Sequence, residues 1–168
     1  MRTRPATADD AAAFARIYNE GIEDRIGTFQ TEPRSVDDML RWFDGPYPLV
    51  AAEDESGEIV AWASAQPYRP GRAWYSGIAE FSIYVARDAR GRGAGRATLA
   101  ALIEACEAHG CWKLLSRIFP ENEASLALCR SLGFREVGTY RRHGKLDGEW
   151  RDCVIVELLL GEAARADL

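Results

Sequence analysis

Val85-Ala86-Arg87-Asp88-Ala89-Arg90-Gly91-Arg92-Gly93-Ala94-Gly95-Arg96 is the stretch on which the reading of this chain turns. Before it, Ile78 to Val85 alternates in polarity and reads as a β-strand. After it, Ala97 to His109 is amphipathic at helical spacing and reads as a helix. Gly91, Gly93 and Gly95 therefore stand at a strand-to-helix junction. Alternating glycines there leave backbone N–H groups bare at the positive end of a helix dipole, an arrangement that binds phosphate. Arg90, Arg92 and Arg96 add cations at the same place. The expected ligand carries a pyrophosphate.

Three kinds of glycine-rich phosphate loop compete for this stretch. A Walker loop needs GxxxxGK[ST], and the chain contains no such string. A dinucleotide fingerprint needs GxGxxG after the first strand of a βαβ unit, but Arg96 stands where its last glycine would fall and the loop lies mid-chain. The remaining pattern is [Q/R]xxGx[G/A], met by Arg90-Gly91-Arg92-Gly93-Ala94-Gly95. This resembles the acetyl-CoA loop of the GNAT superfamily of N-acetyltransferases. A second segment, Pro120-Glu121-Asn122-Glu123-Ala124-Ser125 followed by Leu126 to Leu132 and Gly133-Phe134, also resembles that superfamily. There the resemblance implies that Asn122 hydrogen-bonds the arm of coenzyme A. Asn is also a favoured helix N-cap, and the two roles are compatible.

Bulk properties narrow the classes. The chain has 168 residues, 47% apolar, enough for a sizeable core in one domain. A net charge of −5 argues against broad nucleic-acid binding, so the arginines near Gly91 form a local cluster on an acidic protein. No apolar run approaches membrane-spanning length, and no apolar segment follows Met1-Arg2-Thr3-Arg4-Pro5 as a signal peptide would require. Cys106, Cys111, Cys129 and Cys153 form no CxxC pair, and only His109 and His143 could join them, so no metal site is expected. Free thiols in a reducing cytoplasm are the expectation.

Along the chain, Arg2 to Pro5 reads as a short strand. Thr7-Ala8-Asp9-Asp10 reads as a capping box that opens a helix with Phe14, Ile17 and Tyr18 on one face. A long loop is expected from Gly21 to Arg34, then a helix from Ser35 to Phe43. Leu49 to Glu53 and Glu58 to Tyr68 read as strands around an Asp54–Gly57 turn. Downstream, Lys113 to Phe119 reads as a buried strand, and Arg135 to Arg142 and Trp150 to Leu159 as a closing pair with a turn at Gly144 to Gly148. The fold class is α/β: a mixed, mostly antiparallel sheet of about six to seven strands flanked by about four helices. The element order resembles the GNAT order over essentially residues 1–168, taken as one domain, and implies a sheet splayed at the cofactor strand.

The resemblance implies acyl transfer from acetyl-CoA to an amine. Its pyrophosphate would lie on the amides of Gly91 to Arg96, and its arm beside Ile83, Tyr84 and Val85. A freed strand N–H would meet the thioester oxygen, where negative charge develops. Glu80 is the candidate base. It lies three residues before Ile83, roughly 10 Å along an extended strand, so it would act through a relay water. Many superfamily members carry a tyrosine four residues before the Gly-Phe glycine as proton donor. Cys129 stands there in this chain.

Ile17-Tyr18-Asn19, Thr28-Phe29-Gln30-Thr31-Glu32-Pro33, Ala79-Glu80 and Gly148-Glu149-Trp150-Arg151-Asp152 resemble the phosphinothricin acetyltransferase branch. Gly21-Ile22-Glu23-Asp24-Arg25-Ile26 resembles its arsinothricin-acetylating members. That branch implies a small toxic glutamate- or methionine-like amino acid as substrate, resistance as the outcome, and a homodimer in which Lys145, in the last turn, would reach the neighbouring subunit's site. An oxyanion-bearing substrate needs cations in the pocket; the resemblance implies Arg72, where the family's substrate loop has a matching arginine, with Arg69 as a second candidate and Phe29 and Tyr75 as walls. Trp150 is expected in the core or an interface. Acetylation of protein N-termini or lysines, and a non-catalytic acyl-CoA sensor, are the competing readings.

Overall fold

The computed structural model describes residues 1–165. Its frame is a seven-stranded sheet: β1 (Arg2–Pro5), β2 (Leu49–Glu53), β3 (Ile59–Pro67), β4 (Ile78–Val85), β5 (Lys113–Ile118), β6 (Arg135–Leu146) and β7 (Glu149–Leu159). The spatial order is β1-β2-β3-β4-β5-β7-β6, antiparallel throughout except between β4 and β5. Five helices accompany it: α1 (Ala11–Asp24), α2 (Val36–Leu40), α3 (Ala94–His109), α4 (Glu123–Ser131) and the short α5 (Gly161–Arg165).

Strand alternation sends side chains of β3 to both faces of the sheet. Trp62 packs in a cluster with Phe14 and Ile17 of α1, its ring stacked 4.7 Å from that of Phe14. Ala63 and Ala65 join the opposite cluster, with Leu99 and Leu102 of α3 and Leu126 of α4. The amphipathic face read from α3 is therefore the one it buries. Ile103 is only half-buried at its margin.

Helix α1 is opened by the expected reciprocal cap, in which the Thr7 N–H donates to the Asp10 carboxylate at 2.8 Å. Arg4 clamps the same carboxylate through both guanidinium NH2 groups, at 2.8 and 2.9 Å, and Glu53 of β2 at 2.5 Å. Arg4 holds the Asp10 carboxyl below its ordinary value, against the opposing effect of burial.

Three elements differ from the sequence reading. Helix α1 runs through Gly21 to Asp24 instead of yielding to a loop, because Ile22 is buried and Gly21 lies against the Tyr84 ring. An added Cβ at Gly21 would come within 3.2 Å of that ring, so this glycine marks a close approach, not a helix end. Helix α3 begins at Ala94, three residues before the expected Ala97. The closing turn is not Gly144 to Gly148. Strand β6 continues to Leu146, and Asp147 (φ 49°) and Gly148 (φ 81°) form a two-residue hairpin of the left-handed type that an Asp-Gly pair favours.

The sheet parts where the sequence resemblance implied. β4 pairs with β5 only at Ile78↔Lys113, Ala79↔Leu114 and Glu80↔Leu115. Beyond that point β5 pairs on one side only, with β7, as far as Ile118. The Ser116 hydroxyl donates to the Phe81 carbonyl at 2.9 Å across the start of the gap.

Candidate active site

Two clefts open from this gap. The larger, about 680 Å³, runs from the glycine loop along β4 towards α4. At its head a short turn at Arg87–Ala89 leads to Gly91 (φ 74°) and Gly93 (φ 87°), the N-cap of α3. Space around both is open, so backbone conformation alone calls for glycine there. Gly95 is different. Its missing Cβ would sit 3.3 Å from Leu128 and 3.4 Å from Val85, so it lets α3 approach β4 and α4 closely. The first helical bond links the Ala97 N–H to the Gly93 carbonyl at 3.0 Å. The amides of Ala94, Gly95 and Arg96 therefore have no acceptor within the helix.

Side chains or main chain of Ile83, Tyr84, Val85 and Asn122 line this cleft, as do Arg90, Gly91, Gly93, Gly95 and Arg96. Two expected residues do not. Arg92 is exposed, and the Ala94 side chain is buried, its carbonyl accepting from the Thr98 hydroxyl at 2.7 Å. The arginines are also less free than expected. Arg90 pairs with Asp24 at 2.7 Å and donates to the Val85 carbonyl at 3.2 Å. Arg96 donates to the Ser131 hydroxyl at 2.6 Å. Arg90 therefore braces the loop against α1. Burial works to raise the Asp24 carboxyl, but Arg87 and Arg90 outweigh it and hold it below its ordinary value.

The register of β3 and β4 decides which β4 amides face the gap. The Ala86 N–H donates to Val60 and the Tyr68 N–H to Ile78, so even-numbered β4 residues direct their main-chain groups at β3. Odd-numbered residues face the β5 side, as the Phe81–Ser116 and Val85–Arg90 contacts confirm. Ile83 and Val85 thus present N–H groups to the gap. The Tyr84 amide does not, and that residue contributes only its side chain. Asn122 is the N-cap of α4, accepting from the Ser125 N–H at 3.2 Å. Its side-chain nitrogen lies near Gly27 across the cleft.

Cys129 lines the same cleft at 1% exposure. Burial pushes its thiol up to about 12, so it stays protonated near neutrality and is a poor nucleophile. Cys106, Cys111 and Cys153 are buried free thiols as well. Among the described residues, no group of His, Cys, Asp and Glu could hold a metal ion, and no helix is long and apolar enough to cross a membrane.

The second cleft, about 430 Å³, meets the first at Phe81, Ser82, Ser116 and Arg117. Glu80 lies in it, and Arg117 of β5 donates to Glu80 at 3.3 Å. Phe29 forms one wall, set edge-on to Phe119 with centroids 4.8 Å apart. The Phe29 ring also covers Gly144, where an added Cβ would come within 2.7 Å of it. Tyr18, Trp42 and Tyr84 supply an aromatic floor, with the Tyr18 and Tyr84 rings 4.7 Å apart. Burial keeps the Tyr84 phenol protonated.

Arg69, Arg72 and Tyr75 line neither cleft. They lie on the loop between β3 and β4, which folds on itself. Arg69 stacks over Tyr68 at 5.4 Å, Tyr75 packs on Tyr68 at 5.3 Å, and the Arg72 carbonyl accepts from the Tyr75 N–H at 2.9 Å. The two arginines expected in the pocket thus lie outside both clefts, on the β3–β4 loop. Arg117 of β5 is the cation that lines the second cleft. Trp150 is exposed rather than core, with Lys145 4.5 Å above its ring.

The chain matches the family described as "Acetyltransferase (GNAT) family" over residues 14–134. It is 36% identical over 163 residues to a phosphinothricin N-acetyltransferase of Streptomyces coelicolor, covering 94% of this chain and 95% of that protein. It is 33% identical over 161 residues to an L-methionine sulfoximine/L-methionine sulfone acetyltransferase of Pseudomonas paraeruginosa, covering 94% and 93%. Its fold superposes, at a TM-score of 0.91, 32% identity and coverage of 99% and 91%, on a GNAT superfamily phosphinothricin acetyltransferase from Sinorhizobium meliloti in complex with acetyl-CoA.

Proposed function

We propose, from the fact that this chain belongs to the acetyltransferase (GNAT) family, that it acetylates the α-amine of a small glutamate- or methionine-like amino acid and so confers resistance where that amino acid is toxic. It is an acetyl-CoA-dependent amino-acid N-acetyltransferase. The observation that carries the reading is continuity: a row of unpaired amides at the start of α3 leads along the open edge of β4 to a carboxylate, Glu80, in an adjoining cleft.

Acetyl-CoA supplies an acetyl group activated as a thioester. The amides of Ala94, Gly95 and Arg96 hold its diphosphate, with Gly91 and Gly93 allowing close backbone approach. Ile83 and Val85 hold its arm through N–H groups left facing the gap by the splay, and Asn122 adds a side-chain donor. A β4 N–H aimed at the acyl oxygen stabilises charge developing there. Glu80 takes the amine proton through a water, and Phe29 shields the amine from bulk solvent. Binding both reactants in adjoining clefts supplies proximity without a covalent enzyme intermediate. Cys129 is too poor an acid to serve as proton donor, and a thiolate leaving group near pKa of about 8.5 needs little help.

The proposal includes one catalytic domain over residues 1–168, a cytoplasmic location and a homodimer. The long edge strand β6, exposed at Val137 and Tyr140, supports a surface for self-association. The deciding experiment is free-thiol release from acetyl-CoA with a panel of amines. Turnover of phosphinothricin, arsinothricin or methionine sulfoximine, and not of peptides, is the expected result. Turnover of peptides alone would replace the reading with a protein acetyltransferase. Tight acetyl-CoA binding with no release for any amine would replace it with a sensor.

A further inference from the structure

Arg117 stands at the meeting of the two clefts and lines both. Its position is fixed, because β5 is paired with β7 at Arg117↔Ile155 just where it leaves β4. Its side chain is half exposed, and among the described residues the one hydrogen bond of that side chain is the 3.3 Å contact to Glu80. A guanidinium has five donors in a planar fork, so most of that fork is uncommitted and open to the cleft. Among the described residues lining the second cleft, Arg117 is the one cation and Glu80 the one carboxylate. The rest is aromatic or neutral: Tyr18, Trp42, Phe29 and Phe119, with Gln30 and Gln66 as hydrogen-bonding groups.

Resting on the amino-acid acetyltransferase reading above, we propose that Arg117 seats the substrate's α-carboxylate and that the cleft selects α-amino acids with an uncharged side chain. The charge pattern is complementary. A substrate ammonium faces Glu80, its carboxylate faces Arg117, and the fork can grip both carboxylate oxygens. With that pair satisfied, the described residues of this chain supply the cleft with no second cation. An additional phosphinate or arsinate would enter without a partner, and desolvating an unpaired anion is strongly unfavourable. An apolar stem suits the aromatic floor, and the glutamine amides can donate to a neutral oxygen such as that of a sulfone. Arg69 and Arg72, the arginines nearest in sequence to such a role, lie on a loop outside the cleft.

The test compares three acceptors with the wild type, Arg117→Ala and Arg117→Lys: methionine sulfone, phosphinothricin, and 3-(methylsulfonyl)propylamine, which is methionine sulfone without its carboxylate. The wild type should favour methionine sulfone over phosphinothricin in kcat/KM. Arg117→Ala should raise KM for methionine sulfone about 10- to 100-fold, the range of a charged hydrogen-bonded contact. It should leave KM for the carboxylate-free amine within about 3-fold, because that amine never used the contact. Arg117→Lys should recover part of the loss. An equal loss for both amines would make Arg117 a support for Glu80 or the fold and overturn the proposal. So would a wild-type preference for phosphinothricin. A wild type inactive on every α-amino acid would overturn the functional reading as well, and that result is visible before any variant is made.

Discussion

Replacing Gly93 with aspartate places a carboxylate directly before the unpaired amides of α3. The residue caps that helix at φ 87°, and nothing lies within 4 Å of the missing Cβ, so the new side chain meets no steric barrier. Left-handed backbone adds about 1 kcal/mol of strain for a residue with a Cβ. The larger effect is electrostatic. Two unit charges about 4 Å apart interact by ~1 kcal/mol in water and ~4 kcal/mol at the effective dielectric near a protein surface. The loop is exposed at Gly91 and Gly93, which puts the value near the lower figure. Against the two charges of a diphosphate the penalty is then ~2 kcal/mol, about a 30-fold rise in the dissociation constant of coenzyme A. Gly93→Asn is the matched control, with the same backbone strain and nearly the same shape but no charge. Titration calorimetry of coenzyme A into both variants isolates the electrostatic part, which should shrink as salt screens it. Equal dissociation constants for the two variants at low salt would refute a diphosphate at this helix start.

Glu80→Gln should lower kcat/KM at neutral pH by about 100-fold or more and recover part of it at alkaline pH as free amine accumulates; a profile parallel to wild type would remove Glu80 as base. Asp10→Asn should destabilise the fold by about 2 kcal/mol at pH 7 by breaking the paired contact with Arg4. Because the folded carboxyl lies below its ordinary value of about 3.9, its stabilisation is complete above that pH and fades as pH falls through the lower folded value. Urea midpoints should therefore show a gap between the two proteins at pH 7 that closes in acid, and a gap independent of pH would contradict the pairing. Cys129→Ala should keep kcat within about 3-fold of wild type, since a thiol pushed up to about 12 is a poor proton donor; a loss above about 10-fold would return it to the chemistry.

The parts of this molecule legible in its sequence are those set by neighbours along the chain. Alternation from Ile78 to Val85, the three glycines after it and the Asn122 cap are local signals, and each produced the element it foretold. What depended on distant partners was not legible. Gly144 looks like a turn residue until Phe29, more than a hundred positions earlier, is found lying on it. Gly21 looks like a helix stop until Tyr84 is found against it. Arg117 reaches the cleft because β4 and β5 run parallel for three residue pairs and then separate, a register no local pattern encodes. Conversely, Arg69 and Arg72 lie close to the cleft in sequence, but the edge-to-face packing of Tyr68 and Tyr75 accompanies a loop folded in on itself.

The interrupted ladder between β4 and β5 also has a mechanical side. Glu80 belongs to one lip of the opening and Arg117 to the other, so the two groups that face each other at 3.3 Å are carried by separate jaws. The jaws share a short hinge of paired backbone and one serine rivet at Phe81. A guest lying in the opening therefore meets a carboxylate from one strand and a guanidinium from the other, each held by its own strand pairing.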